Sequence, residues 1–509
     1  MDEGHSRAEI SSVLDSVDTA AVSTFAGDRM RSRMMHYAAD EEFNIYLATM
    51  KGDPKTAQIT HHPSVSLLIH KHTEDVNDSM EVEVTGKAFV VKDDEERQTA
   101  LEATAQRSPV VKYLVETGHE GMLDCIRVVP ECVKFRVFKE IVQGMPPTVI
   151  EFPENRLVVR DFDLLKRKVK SWVIGLRASF LTATIVPILL GAVIAWVTTA
   201  AFHWGYFLLT MLGGLFLHAG TNVINDYSDH RSGNDEVNLE FVRPFSGGSR
   251  VIQLGLLTPL EVLVGGLALF LLGSLMGLYL AWVRGPLILA LGVIGIASGM
   301  FYSGKPFDWA SKGIGEMLVG LNFGVLMTLG AYYVQTQELS WVPVMAGIPV
   351  AFFIAAVLYI NEFPDYQADK VVGKKTLVVR LGRQKAVIGY VVLIMGAYLS
   401  ILAGVVTGVL APVALAGLAT LPLSVRAIHY ARRHYAKSFD LVPANALTII
   451  AHLATGLLLT LAYSWIGFGA QGRGYVAVLG LGFGLFVFYM YRYIERQKEI
   501  FLGLKEAMR

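Results

Sequence analysis

The sequence predicts a two-part chain: a small N-terminal β-barrel with short helices, then an all-α, multi-pass membrane bundle of nine or ten helices. Three observations carry that expectation. Residues 1–170 are rich in charge and alternate apolar with polar, whereas long apolar runs begin only at Trp172. Hydrophobic residues make up 53% of the 509 and charged residues only 18%, which points to membrane. The runs after Trp172 approach the roughly 20 residues that a bilayer core about 30 Å thick requires. Formal net charge is zero, so nothing argues for a nucleic-acid partner.

The first part, residues 1–150, reads as sheet. NIYLAT (44–49), SVSLLI (64–69), MEVEVTGKAFVV (80–91) and LDCIRVVPECVKFRVF (123–138) are β-rich with period-two stretches. Lys51-Gly52-Asp53-Pro54 marks a turn, and short helices are expected over 54–61 and 94–116. Several strands with few helices imply a small closed barrel. The start, MDEGHSRAEI, lacks the apolar run of a secretory signal, which keeps this part in the cytosol. Cys125 and Cys132 are structural thiols rather than a disulfide framework or a zinc site. His61, His62, His70 and His72 have no carboxylate spaced to match and read as surface histidines.

SRMM (32–35), the IYLAT strand with KGDPKTAQI (51–59), and the LDCIRVVPECVKF strand resemble the flavin-binding split-barrel family that includes pyridoxamine-phosphate oxidases. The resemblance implies an FMN phosphate held by Arg31, Arg33, Lys51, Lys55 and Gln58. It also implies pairing of two chains through the barrel. The alternatives are a barrel that binds nothing, or one that binds haem or a deazaflavin.

Residues 151–170 form a join with an apolar face and the cluster Lys166, Arg167, Lys168 and Lys170. The segment reads either as an interfacial helix on anionic headgroups or as a solvated linker.

In the membrane part, 171–509, ten apolar runs stand near 172–198, 204–224, 260–283, 286–303, 314–334, 342–362, 386–407, 410–428, 446–468 and 475–493. Loops after the second, fourth, sixth and eighth runs collect Arg231, Arg250, Lys312, Lys370, Lys375, Arg380, Arg432 and Lys437, among others; the other side has little beyond Arg284 and Arg473. The charge rule for loops then puts both termini in the cytosol, in an inner, cytoplasmic membrane.

Two acidic stretches follow runs two and six. In the first, TNVINDYSDHRSGNDEVNLEFVRPFSGGSR (221–250), Asn222, Asp226 and Asp229 fall on one helical stripe, and Asp235 lies just past Gly233, where the helix should end. In the second, YINEFPDYQADKVVGKKTLVVRLGR (359–383), Asp365 and Asp369 repeat the i, i+4 spacing, with Pro364 expected to kink or restart the helix. Two such charges ~4 Å apart repel by roughly 4 kcal/mol at an effective dielectric near 20. Stretches that meet in space therefore need a compensating cation, and Mg²⁺ suits because it takes one or two carboxylates plus phosphate oxygens. Arg243, Arg250, Lys374 and Lys375 lie beside the acids, where phosphates would sit. The bland alternative is a pair of solvated loops.

NDYSDHRSGND, RPFSGGSRVIQLGLLTP and DYQADKVVGKKTLVVRLG resemble the two Asp-rich signatures of the UbiA superfamily of membrane prenyltransferases, most like the 1,4-dihydroxy-2-naphthoate type, over roughly 170–470. One departure is Gly233, where the general pattern has its last acid; Asp235 then takes that role. The resemblance implies an isoprenyl diphosphate, an aromatic acceptor and Mg²⁺ on Asp226, Asp229, Asp365 and Asp369, assisted by Asn222 and Asp235. Arg243, Lys305 and Lys374 would add positive charge, and Tyr302 with Lys305 resembles a phosphate-side contact. Lys305 reads equally as a snorkelling anchor, and Glu316 as an ordinary carboxylate at a helix start. A transporter, or a membrane-anchored flavin-dependent quinone redox protein, remains the alternative.

Overall fold

The computed structural model describes residues 3–26, 29–155, 161–238, 240, 242, 245–303, 306–470 and 472–507. Arg243 and Lys305 lie outside them. The chain divides into two compact units: Met1–Trp172 with Val251–Thr258 and Glu499–Arg509, and Val173–Arg250 with Pro259–Lys498.

The first unit holds strands β1 (Thr19–Ala26), β2 (Arg29–Ala39), β3 (Ile45–Met50), β4 (Ser64–Lys71), β5 (Met80–Val90), β6 (Leu123–Val137) and β7 (Thr148–Glu151). Neighbours run antiparallel in the order β3-β2-β1-β4-β5-β6, and β6 returns to pair with β3, Ile45 opposite Val128. That closes a six-strand barrel, while β7 adds to β6 alone. Period two fills it: Leu47, Leu67, Ile69, Val82, Val84 and Ile126 are buried in one core.

Helix α1 (Glu3–Ser16), absent from the sequence expectation, adds Ile10, Val13 and Leu14 to that core, an i, i+3, i+4 face. Helix α2 (Pro54–His61) matches its expected range, with the Asp53 carboxylate accepting the Lys55 N–H at 2.9 Å and proline in the first turn. The helix expected over 94–116 is broken in two, Asp94–Ala105 and Pro109–Glu116, because Pro109 starts a new helix capped by Ser108. Both cysteines are free. Burial pushes the Cys125 thiol up to about 11, which leaves it inert.

In the second unit, among the described residues, nine helices are long and apolar enough to cross a membrane: Ala178–Thr199, Trp204–Ser232, Pro259–Arg284, Gly315–Thr336, Trp341–Val371, Arg383–Val406, Pro412–His434, Val442–Gly467 and Arg473–Arg496. The chain is a multi-pass membrane protein. A shorter apolar helix, Leu287–Ser303, accounts for the tenth run. At 1.5 Å per residue its 17 residues reach only about 25 Å. It nonetheless crosses, by parity. The acidic ends of Trp204–Ser232 and Trp341–Val371 touch, since Lys374 bonds Asp229. Three intervening crossings would put them on opposite faces, and four put them together.

Trp341–Val371 runs unbroken through Pro349 and Pro364, so the expected kink does not interrupt the second acid pair. Neighbouring helices enclose it, and Phe353, Tyr359, Ile360 and Phe363 are all but fully buried. Two glycines serve close packing: a Cβ on Gly191 would lie 2.2 Å from the Thr328 carbonyl oxygen, and one on Gly324 2.3 Å from the Ala351 Cβ.

Candidate active site

Asn222, Asp226 and Asp229 stand on the last turns of Trp204–Ser232. The helix stops at Gly233, whose φ of 74° is the left-handed cap glycine adopts without strain, and its N–H donates to the His230 carbonyl at 3.2 Å. The chain then turns through Asn234–Val237, which brings Asn234, Asp235 and Asn238 back over the helix end.

Here the two stretches meet. Lys374 Nζ donates to Asp229, Asn234 Nδ2 to Asp369 at 3.3 Å, and Asn238 Nδ2 to Asp365 at 2.7 Å. The Gly247 N–H adds a 3.4 Å bond to Asp365. Asp226 receives the Arg177 guanidinium, the Ser249 hydroxyl and, at 3.2 Å, the Ser249 N–H. Gly248 makes that approach possible. Its φ is +67°, and a Cβ would stand 2.9 Å from Asp226 Oδ1 and 3.0 Å from Arg177 Nη2.

Charge is dense and enclosed. Asp226 and Asp235 are each only 2% exposed. Burial, then Asp229 and Asp226, push Asp235 up to about 8. Burial alone would lower Lys374, but Asp229, Asp369 and Asp365 overcome it and hold the ammonium above its usual range. Among the described residues no three His, Cys, Asp or Glu converge as a metal-holding group. Asp235 Oδ2, Asn234 Oδ1 and Asn238 Oδ1 are nevertheless buried acceptors with no donor. An all-oxygen set with few carboxylates per ion fits Mg²⁺, which completes its shell with water and phosphate oxygens.

This cluster forms the mouth of a cavity of about 670 Å³. Asn222, Asp229, Asp235, Tyr302, Asp365, Asp369 and Lys374 line its polar end, and Leu217, Phe270, Leu291, Phe323, Met327 and Val334 its apolar length. Gly213 and Gly214 line it too. A Cβ on Gly277 or Gly292 would meet nothing within 4 Å, so these glycines widen it.

The reading of the sequence missed Arg177, Asn234, Asn238 and Ser249. The two asparagines lie inside the first motif, four residues apart, and spacing could have found them. Arg177 precedes Asp226 by 49 positions, inside the apolar run expected near 172–198, and nothing marks it out. Arg250 braces the loop rather than lining the cavity, donating to the Asn238 carbonyl at 2.8 Å and the Gly247 carbonyl at 3.2 Å. Glu316 accepts the Leu377 N–H at 3.2 Å, so it caps a different helix from the one it begins.

In the barrel, Arg33 donates to Thr24 Oγ1 and Gln58 Oε1, both at 2.7 Å, and Lys55 to Thr49 Oγ1 at 2.8 Å and Asp53 at 2.7 Å. Burial draws Arg33 below its usual range, Asp53 opposing and Arg31 adding. Arg31, Arg33, Lys55 and Gln58 thus share one neighbourhood, and its cations and amide fit a phosphate. Lys51 is exposed on the turn, its N–H bonded to the Met122 carbonyl at 2.7 Å.

Fold and site together define a membrane-embedded bundle with a charged mouth on an apolar cavity. Residues 184–442 match the UbiA prenyltransferase family, and the chain belongs to that family; it is a prenyltransferase. Residues 6–131 match Pyridoxamine 5'-phosphate oxidase. The 1,4-dihydroxy-2-naphthoate octaprenyltransferase of Mycobacterium tuberculosis is 34% identical over 50% of this chain and 84% of its own length. The 2-carboxy-1,4-naphthoquinone phytyltransferase of Synechocystis is 26% identical over 59% of this chain and 95% of its own. Among solved structures, a putative pyridoxamine 5'-phosphate oxidase from Listeria innocua aligns over 26% of this chain and 98% of its own, at 19% identity and a TM-score of 0.21.

Proposed function

We propose that the membrane unit transfers a polyisoprenyl group from its diphosphate to an aromatic acceptor, as a step of menaquinone-type quinone biosynthesis, with its site on the cytosolic face of an inner membrane. One observation carries the reading: two acidic helix ends, with Asp226 and Asp365 139 positions apart, close on each other and on Lys374 at the mouth of an apolar cavity. The names of the naphthoate-type relatives support the acceptor class.

Asp226, Asp229, Asp365 and Asp369, with Asn222 and Asp235, would hold Mg²⁺. Bound there, Mg²⁺ supplies the charge that stabilises the departing diphosphate. Lys374 and Arg177 now spend their charge on Asp229 and Asp226. Both cations line the cavity, where they would add positive charge to the phosphate oxygens of the leaving group. The allylic C–O bond then breaks, the ring attacks the allyl carbon, and a proton leaves. The apolar walls take the chain and keep water from the cation. In the barrel, Arg31, Arg33, Lys51, Lys55 and Gln58 would hold an FMN phosphate, and two chains would pair there.

The test is purified protein with an isoprenyl diphosphate, Mg²⁺ and a panel of phenolic and naphthoic acceptors. Acceptor-dependent diphosphate release is expected. A protein that takes up the isoprenyl diphosphate and releases no diphosphate with any acceptor would be a carrier, and the reading would fall.

A further inference from the structure

Beside the mouth, a second pair of carboxyls is buried. Glu362 stands three residues before Asp365 on Trp341–Val371, and Glu316 opens Gly315–Thr336. They are 9% and 2% exposed. Glu316 Oε1 accepts the Leu377 N–H at 3.2 Å, and the residue before Leu377, Thr376, lines the cavity together with Glu362. No described residue donates to Glu362 Oε2 or to Glu316 Oε2. Glu362 lines the cavity with Asn361, Tyr302 and Thr376, whereas Glu316 does not line it. Tyr302 packs beside the start of that helix, since a Cβ on Gly315 would stand 3.1 Å from its ring.

Burying two carboxyls is costly, and an amide at either position would keep the helix and the Leu377 bond without that cost. Lys374 is bonded to Asp229 and Arg177 to Asp226, so these two cations serve the diphosphate end and not this pair. A cavity-lining carboxylate whose Oε2 has no donor among the described residues is free to accept a proton. Glu362 stands about 4.5 Å along the helix from Asp365, on the side away from the helix end, so a ring beside it can meet the first carbon of a chain whose diphosphate is at Asp365 and Asp369.

We propose that Glu362, backed by Glu316, is the base that takes the acceptor's hydroxyl proton, and that the acceptor ring lies against Glu362, Tyr302 and Asn361. This rests on the prenyl-transfer reading above. The allylic C–O bond breaks with its electron pair on the diphosphate, and the ring's π electrons form the new C–C bond. The hydroxyl proton passes to the Glu362 carboxylate, leaving a neutral keto tautomer. Moving the hydrogen of the substituted ring carbon to the oxygen restores the aromatic hydroxyl, and Glu362 returns its proton to water.

The experiment compares Glu362→Gln with the wild-type full chain on two acceptors, a naphthol un-ionised at the assay pH and one made acidic enough by electron-withdrawing groups to be ionised already. Transfer to the first should fall about 100-fold or more, the usual size of a lost general base. Transfer to the second should stay within about threefold of wild type, because that acceptor has no hydroxyl proton to lose. Unchanged affinity for the isoprenyl diphosphate reports an intact fold. Glu316→Gln, which still accepts the Leu377 N–H, should show the same split at smaller size. Equal loss on both acceptors, or no loss on the first, overturns the assignment while leaving prenyl transfer standing. A wild-type chain that prenylates neither acceptor removes the transfer reading and this assignment with it.

Discussion

At the scale of residues, spacing made the acids legible and geometry gave them partners. Asn222, Asp226 and Asp229 share a stripe because 3.6 residues make a turn, and no neighbour in space is needed to see it. Arg177 has no such signature, because its role exists only where the chain returns to Asp226. Asp235 yields a test in pH. Its folded value is about 8, against an ordinary value of about 3.9. The fold favours the protonated form, so this contribution to stability is whole below about pH 4, shrinks as pH rises and is gone above about pH 8. In EDTA, Asp235→Asn, which cannot ionise, should flatten the fall in melting temperature between pH 5 and 8.5. The same fall in wild type and variant would place the titration elsewhere.

At the scale of elements, the strands with clean alternation were readable, and β1 and β2 were not. In β2, Arg31 and Arg33 occupy the register of Met35 and Tyr37, which point inward, while Met30 and Met34 lie on the outer face at 62% and 65% exposure. Polar and apolar positions are thus inverted over half the strand, which defeats a period-two search. Because β6 pairs back onto β3, the barrel closes with its own strands. Residues 1–155 expressed alone should therefore fold and bind FMN, and Lys55→Ala should loosen the flavin about tenfold, the loss of one charge-assisted hydrogen bond. A folded barrel that ignores FMN in a fluorescence titration would rule flavin out. In the membrane unit, the helix Leu287–Ser303 presents Gly292 and Gly295 to the cavity. Gly295→Phe should narrow the apolar length and cut turnover of long isoprenyl diphosphates about tenfold or more, and of short ones far less. Equal loss at every chain length would mean that the chain does not lie there.

At the scale of the whole chain, ten apolar runs and loop charge were legible in advance, but the meeting of two motifs could be seen only in three dimensions. The parity of crossings follows from that meeting, and it makes the short helix a true crossing. Loop charge predicts that the acidic ends face the cytosol. Single cysteines at the exposed positions Arg231 and Gln367, with Cys125 and Cys132 replaced by alanine, should react with an impermeant thiol reagent from the cytosolic side. A cysteine at exposed Glu338 should react only from the other side. Labelling of Arg231→Cys and Gln367→Cys from opposite sides would break the parity argument.

The central claim is that the two acidic ends form one site for isoprenyl transfer. The most direct measurement counts covalent product by mass, together with diphosphate, from the purified full chain given isoprenyl diphosphate and a naphthoic acceptor. One diphosphate per prenylated ring should appear in Mg²⁺. Excess EDTA should abolish it, and Asp226→Asn and Asp365→Asn should each lower it by two orders of magnitude or more in protein that still folds. Full turnover in EDTA, or a near-normal Asp365→Asn enzyme, would contradict the account.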